Sequence, residues 1–191
     1  MSSLPFSAVL LAAGRSTRMG TDKALLPAPA GGPLWQRQRD VLAKAGAVEI
    51  FLSVRPDQAW ARPAEGFSAR LYDAQPDCGP LIGLTAGLER AVHPHLAVLA
   101  IDLPRLDAEW FALLRAECAP GIGAVGRRDG RFEPLAAIYP REIMPRAWER
   151  IARAEYALQP LLAEAEAAGL LQVREISPDE ADGFENWNGP P

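Results

Sequence analysis

Residues 6–11 form an apolar run of strand length that stops at the small residues Ala12, Ala13 and Gly14. A run of this kind, without polar alternation, suits a strand buried on both faces. Such strands occur inside parallel sheets that carry helices on either side. The rest of the chain repeats the theme. Strand patterns at 49–54, 69–72, 96–101, 123–127, 134–139 and 171–175 alternate with helical patterns at 34–45, 79–92, 107–117, 140–154 and 158–168. Residues 55–67, polar and carrying two prolines, read as loop or irregular helix. Pro33 and Pro80 stand where a first helical turn accepts proline, Gly46 closes the first helix, and Asp107 can cap the third. Asp129-Gly130 is a turn between two strands. The alternation predicts an α/β protein with a mostly parallel sheet covered on both faces. Its 191 residues suffice for one well-buried core, so residues 1–191 are expected to form one domain.

In sheets of this class ligands bind beyond the carboxyl ends of the strands. Gly14, Asp73 and Asp102 each follow a predicted strand, which gathers them at that edge. After the first strand the chain presents Arg15, Arg18 and Lys23 close together, beside a glycine that lets backbone amides approach a ligand. Cations beside such a cradle suit a triphosphate. The motif G-x-x-x-x-G-K-[ST] cannot be laid over Gly14 to Lys23, and G-x-G-x-x-G fails as well, so neither common phosphate loop is present.

Asp102 ends a strongly apolar strand and precedes Leu103-Pro104. A carboxylate there can share a magnesium ion with substrate phosphates, or it can cap the following turn. Asp73 has the same placement. His93 and His95 are the only histidines, in a His-Pro-His segment that reads as a solvated loop. Ser-His-Asp and Cys-His catalysis therefore lack support, and nothing near Ser16 or Ser53 resembles a nucleophile elbow. A nucleophile that arrives ionised needs no such base, and a phosphate monoester, with a second pKa of about 6, is one. The residues fit metal-assisted nucleotidyl transfer: Lys23 and Arg18 hold phosphate oxygens, and Asp102 holds Mg2+.

Composition excludes other classes. Twenty basic against 24 acidic residues give a net charge of −4, unsuited to binding nucleic acid nonspecifically. No stretch of eighteen apolar residues appears and residues 1–5 are no signal peptide, so a cytoplasmic protein without membrane contact is expected. Cys78 and Cys118 form no C-x-x-C and read as free, buried thiols.

Leu11-Ala12-Ala13-Gly14, Arg18-Met19-Gly20 and Asp22-Lys23 resemble the signature of nucleotidyltransferases with a three-layer, Rossmann-like, nucleotide-diphospho-sugar-transferase fold. Gly79-Pro80-Leu81-Ile82-Gly83-Leu84, Asp102-Leu103-Pro104, Glu133-Pro134-Leu135 and Asn186-Trp187-Asn188 narrow the resemblance to the molybdenum cofactor guanylyltransferase family, over nearly the whole chain. The resemblance implies transfer of GMP from GTP to molybdenum-molybdopterin, releasing pyrophosphate, with Mg2+ as cofactor. It implies transient contact with molybdoenzymes or cofactor-delivery proteins. It implies nucleotide contacts at Leu11, Ala12, Ala13, Lys23, Asp73 and Asp102, with Asp102 also holding the metal, and the loop reading adds Gly14 and Arg15 to them. Ser53 takes the place of a nucleotide-contacting asparagine, and Asn186 and Asn188 match a C-terminal motif near the active site.

Ala13 replaces a glycine usual in that family and matches related cytidylyltransferases, which leaves a CTP-dependent enzyme acting on molybdopterin or on a sugar or polyol phosphate as an alternative. A non-catalytic nucleotide-binding partner protein is a second alternative, against which the presence of Asp102 speaks. Arg127, Arg128 and Arg131 are either contacts for the pterin phosphate or solvated turn cations. After Asn188 only Gly189-Pro190-Pro191 follow, where relatives run on into a short helix.

Overall fold

Along the first strand, β1 (Ser7–Leu11), Ala8 and Leu10 belong to one buried apolar cluster and Val9 to another. The same alternation divides Phe51 from Leu52 in β2 (Glu49–Val54) and Val98 from Leu99 in β4 (His95–Ala100). Successive side chains on a strand face opposite ways, so each strand feeds two layers. On one face, α1 (Leu34–Lys44) contributes Leu34, Val41 and Leu42, and α3 (Ala108–Glu117) contributes Phe111 and Leu114. On the other lie α2 (Pro80–Arg90), α4 (Met144–Ala152) and α5 (Leu158–Ala167), with Leu81, Leu84, Ala147, Leu161 and Leu162 buried. The result is the three-layer α/β sandwich expected from the sequence. This computed structural model describes residues 5–14, 22–28, 31–72 and 78–187.

The sheet runs β3 (Ala69–Tyr72), β2, β1, β4, β7 (Ala136–Pro140), β5 (Gly123–Arg128), with the short β6 (Arg131–Phe132) and the parallel β8 (Leu171–Glu175) also paired to β5. β3, β2, β1 and β4 are mutually parallel, and Leu11 sits opposite both Ser53 and Ala100. The carboxyl ends of β1, β2 and β4 therefore meet at one edge. β7 is antiparallel to both β4 and β5, so β5 and β8 run in the same sense as β4 and end at that same edge.

Three details depart from the sequence reading. Residues 131–140 hold two strands rather than one over 134–139, because Pro134 has no N–H for the ladder and pairing resumes only at Ala136. The reversal before them is the expected Asp129-Gly130 turn, with φ of +50° and +73°. His95 is no solvated loop residue: it opens β4, is buried, and its Nε2 lies 3.1 Å from Ala119 O and 3.0 Å from Ile122 O, tying that turn to the sheet. Cys78 and Cys118 are free but only partly buried. The acidic tail is ordered through a 3-10 turn at Ala181–Phe184, whose Phe184 ring meets Trp110 edge-on at 4.8 Å. No described helix is long and apolar enough to cross a membrane.

Candidate active site

Beyond β1 the ladder continues for one residue. Ala12 N–H donates to Ser53 O at 2.9 Å, and Leu11 O accepts from Ile101 N–H at 3.0 Å. From there the loop is held by side chains that follow β2. Gln58 Nε2 donates to Ala12 O at 2.9 Å, and Arg55 Nη1 donates to Ala13 O at 2.6 Å and Gly14 O at 2.9 Å. Gln58 is itself fixed, because its Oε1 accepts the Arg55 backbone N–H at 2.7 Å.

The chain re-enters at Asp22, which caps a 3-10 turn at Lys23–Leu25 by accepting Ala24 N–H at 3.1 Å. Its second oxygen accepts Gln58 Nε2 at 2.6 Å and Trp60 Nε1 at 2.8 Å. Trp60 stacks on Trp35 of α1, and Trp35 also meets Phe67. Asp22 is thus locked against a rigid aromatic wall, and the orientation of the next residue, Lys23, follows from it. Lys23 Nζ reaches to 3.5 Å from Asp102 Oδ2.

Asp102 lies on the turn beyond β4, and that turn is fastened from two sides. Gln38 of α1, with no exposed surface, donates from Nε2 to Ala100 O at 3.1 Å and Leu103 O at 2.9 Å. Trp187 N–H donates to Asp102 O at 2.9 Å. Ala100 N–H donates to Leu135 O at 2.9 Å, which sets Glu133-Pro134-Leu135 alongside. Burial raises the Glu133 carboxyl above its ordinary range despite Arg128 at 3.4 Å and the nearby Arg131. Beneath the edge, α2 lies close on the sheet at Gly83. A Cβ there would come within 2.7 Å of Leu11 Cδ2 and 2.9 Å of Ser53 Oγ.

The structure brings together Leu11, Ala12, Ala13, Gly14, Lys23 and Asp102. Ser53 stands beneath them, buried against α2, with its carbonyl in the ladder. Asn186 is exposed and adjoins Trp187, the residue bonded to Asp102. Arg15, Arg18, Asp73 and Asn188 lie outside the described residues. Of the turn arginines, Arg127 is tied to Glu166 and Glu175, and its bond to Glu175 holds its pKa above the ordinary value. Arg128 pairs with Glu133 and donates to Ala181 O, while Arg131 is exposed at the tip. His95 opens the strand that Asp102 follows, roughly 20 Å away at 3.3 Å per residue, so its imidazole has no part in the chemistry there.

The sequence reading missed Gln38, Arg55 and Gln58, whose side chains bond backbone carbonyls around the site, and gave Asp22 no task. Gln38 left a trace. It shares a helical stripe with the buried Leu34, Val41 and Leu42, and a polar residue in such a stripe demands a partner in the core. Arg55 and Gln58 left none, since their partners lie far off in sequence.

Among the described residues no three His, Cys, Asp or Glu side chains cluster tightly enough to hold a metal ion by themselves. Asp102 nevertheless fits a hard divalent cation. Its carboxylate is 28% exposed at the carboxyl edge of the sheet, and one carboxylate with substrate phosphates and waters is a donor set that such an ion accepts.

Residues 8–170 match the family model described as a MobA-like NTP transferase domain. The chain is 38% identical over 185 residues to a protein of Opitutus terrae named "Probable molybdenum cofactor guanylyltransferase", covering 95% of this chain and 89% of that one. It is 34% identical over 170 residues to the molybdenum cofactor guanylyltransferase of Pseudomonas putida, covering 87% and 86%. The fold is similar to that of molybdopterin-guanine dinucleotide biosynthesis protein A from Archaeoglobus fulgidus, with a TM-score of 0.73 at 20% identity, covering 96% and 93% of the two chains.

Proposed function

The chain belongs to the family of MobA-like NTP transferase domains and is a nucleotidyltransferase; from that premise we propose that it transfers GMP from GTP to molybdenum-molybdopterin, forming the guanine dinucleotide cofactor and pyrophosphate. A terminal phosphate oxygen of the pterin attacks the α-phosphorus of GTP. The new P–O bond forms as the bond from the α-phosphorus to the bridging oxygen breaks, and pyrophosphate leaves with that electron pair. The incoming oxygen is already anionic at neutral pH, so the site needs no histidine base. The observation that carries this reading is the meeting of Lys23 and Asp102 at the carboxyl edge, 3.5 Å apart, beside the loop after β1.

Each residue has a task that its surroundings support. Backbone amides after β1 hold phosphate oxygens, with Lys23 neutralising charge as it builds on the transferring group. Asp102 would hold the divalent ion, which we assign as Mg2+, and Asp22 and Gln38 keep the two charged groups in place. When bound, such an ion polarises the phosphoryl oxygens and offsets the charge on departing pyrophosphate. We assign further nucleotide contacts to Arg15, Arg18 and Asp73, and a role beside the active site to Asn186 and Asn188, from the motifs they belong to. Cytoplasmic GTP is the expected donor, and the product is handed to molybdoenzymes or to proteins that deliver the cofactor.

The test is to incubate purified protein with molybdenum-molybdopterin, Mg2+ and each of the four nucleoside triphosphates in turn, and to follow pyrophosphate. Release with GTP alone is the expected result. Release with CTP while GTP remains intact would reassign the base, and binding without release would make the protein a carrier.

A further inference from the structure

We propose that Arg55, assisted by Gln58, is a positioning residue that turns the amides of the loop after β1 toward the nucleotide's phosphates; this rests on the function proposed above. In a trans peptide unit the carbonyl and the N–H point in opposite directions, and the described residues contain no cis peptide bond. Gln58 takes the carbonyl of Ala12 and Arg55 takes that of Ala13. The N–H groups sharing those two peptide units, on Ala13 and Gly14, are thereby directed to the far side of the loop. Gly14 is exposed, and a Cβ built on it meets nothing within 4 Å among the described residues. Successive amides aimed at open space form an anion cradle, whereas a carbonyl rotated into it would repel phosphate.

The guanidinium suits this task better than an ammonium. One Nη1 spans the carbonyls of Ala13 and Gly14, while Nε donates to Asp57 Oδ1 at 3.0 Å and fixes the plane of the fork. Its side chain is only 17% exposed, so it holds the back of the loop rather than its ligand face. The charge then lies behind the amides and strengthens their pull on an anion.

The experiment compares wild type with Arg55→Met and Arg55→Lys, measuring calorimetric affinity for inorganic pyrophosphate and for GTP with Mg2+, KM and kcat, and the urea midpoint. Arg55→Met should weaken both ligands and raise KM for GTP about tenfold, with kcat falling less than about threefold, since Lys23 and Asp102 stay in place. Arg55→Lys should recover little, because it restores the charge and not the fork. Wild-type affinity in folded Arg55→Met, or full recovery by Arg55→Lys, overturns the proposal. If Arg55→Met does not fold, hydrogen exchange on wild type decides: pyrophosphate should slow exchange at the Ala13 and Gly14 amides, and unchanged exchange overturns the assignment. Wild type that binds neither ligand defeats the proposed function; wild type that binds both, equally with Arg55→Met, defeats the clamp alone.

Discussion

Lys23 Nζ lies 3.5 Å from Asp102 Oδ2, although the lysine follows the first strand and the aspartate the fourth. Both side chains are partly exposed, and an ion pair of this length in such a setting contributes at most about 1 kcal/mol to stability. The function proposed above gives the pair its value in the reaction instead. Lys23→Ala should lower turnover by about a hundredfold or more, the scale on which a charge-stabilising contact acts on a transition state. The urea midpoint should stay close to that of wild type. Steady-state pyrophosphate release and equilibrium denaturation on the same preparation check both halves, and undiminished turnover would remove Lys23 from the mechanism.

Gln38 is a different case, because its contacts are buried. Gln38→Leu strands the carbonyls of Ala100 and Leu103 in the core, at a cost of about 1–3 kcal/mol for a buried acceptor left unmet. Loosening of the turn that carries Asp102 should accompany it. The expected outcome is a lower urea midpoint together with a Mg2+ titration of turnover displaced to higher concentration. Val41→Ala, a cavity in the same helix, should lower the midpoint without that displacement.

Two glycines should respond in opposite ways. Gly83→Ala puts a methyl against Leu11 and Ser53 and should destabilise by about 1–3 kcal/mol as α2 is forced off the sheet. Gly14→Ala meets no neighbour among the described residues and should leave the melting temperature unchanged. It should instead raise KM for GTP, because the methyl occupies the space that a phosphate must approach. Thermal melts and Michaelis constants separate the two.

Burial pushes the Cys118 thiol up to about 12, with Glu117 adding to the rise and Arg115 opposing it. Between the unfolded value near 9 and the folded value the native state keeps a proton that the unfolded chain loses, so this group's contribution to stability declines as pH rises through that window. Below it the nucleophilic thiolate is scarce. Iodoacetamide at pH 8 should therefore leave Cys118 unlabelled in the native protein and label it fully in urea, as read by peptide mass spectrometry.

The layers of the molecule were legible because burial on both faces and helical periodicity are local signals. Phe6, Val9 and Leu99 announce core strands, and Asp107 announces a helix start that the structure confirms. The strand ends before Gly14 and Asp102 were legible for the same reason, and the structure sets both at one edge of the sheet. What escaped was the set of long-range polar fasteners. Nothing near Arg55 says that its carbonyl partners lie beyond β1, and His95 looked solvated because the turn at Ala119–Ile122 that shields it comes much later in the chain. Antiparallel insertion of β7 was hidden likewise, since strand order is a property of the whole sheet.

The bond from Trp187 to Asp102 comes from outside the sheet, whose described strands all precede Ile176. Scaffold and site are therefore separable: loss of this strap would slacken the turn that carries Asp102 while leaving every ladder hydrogen bond in place.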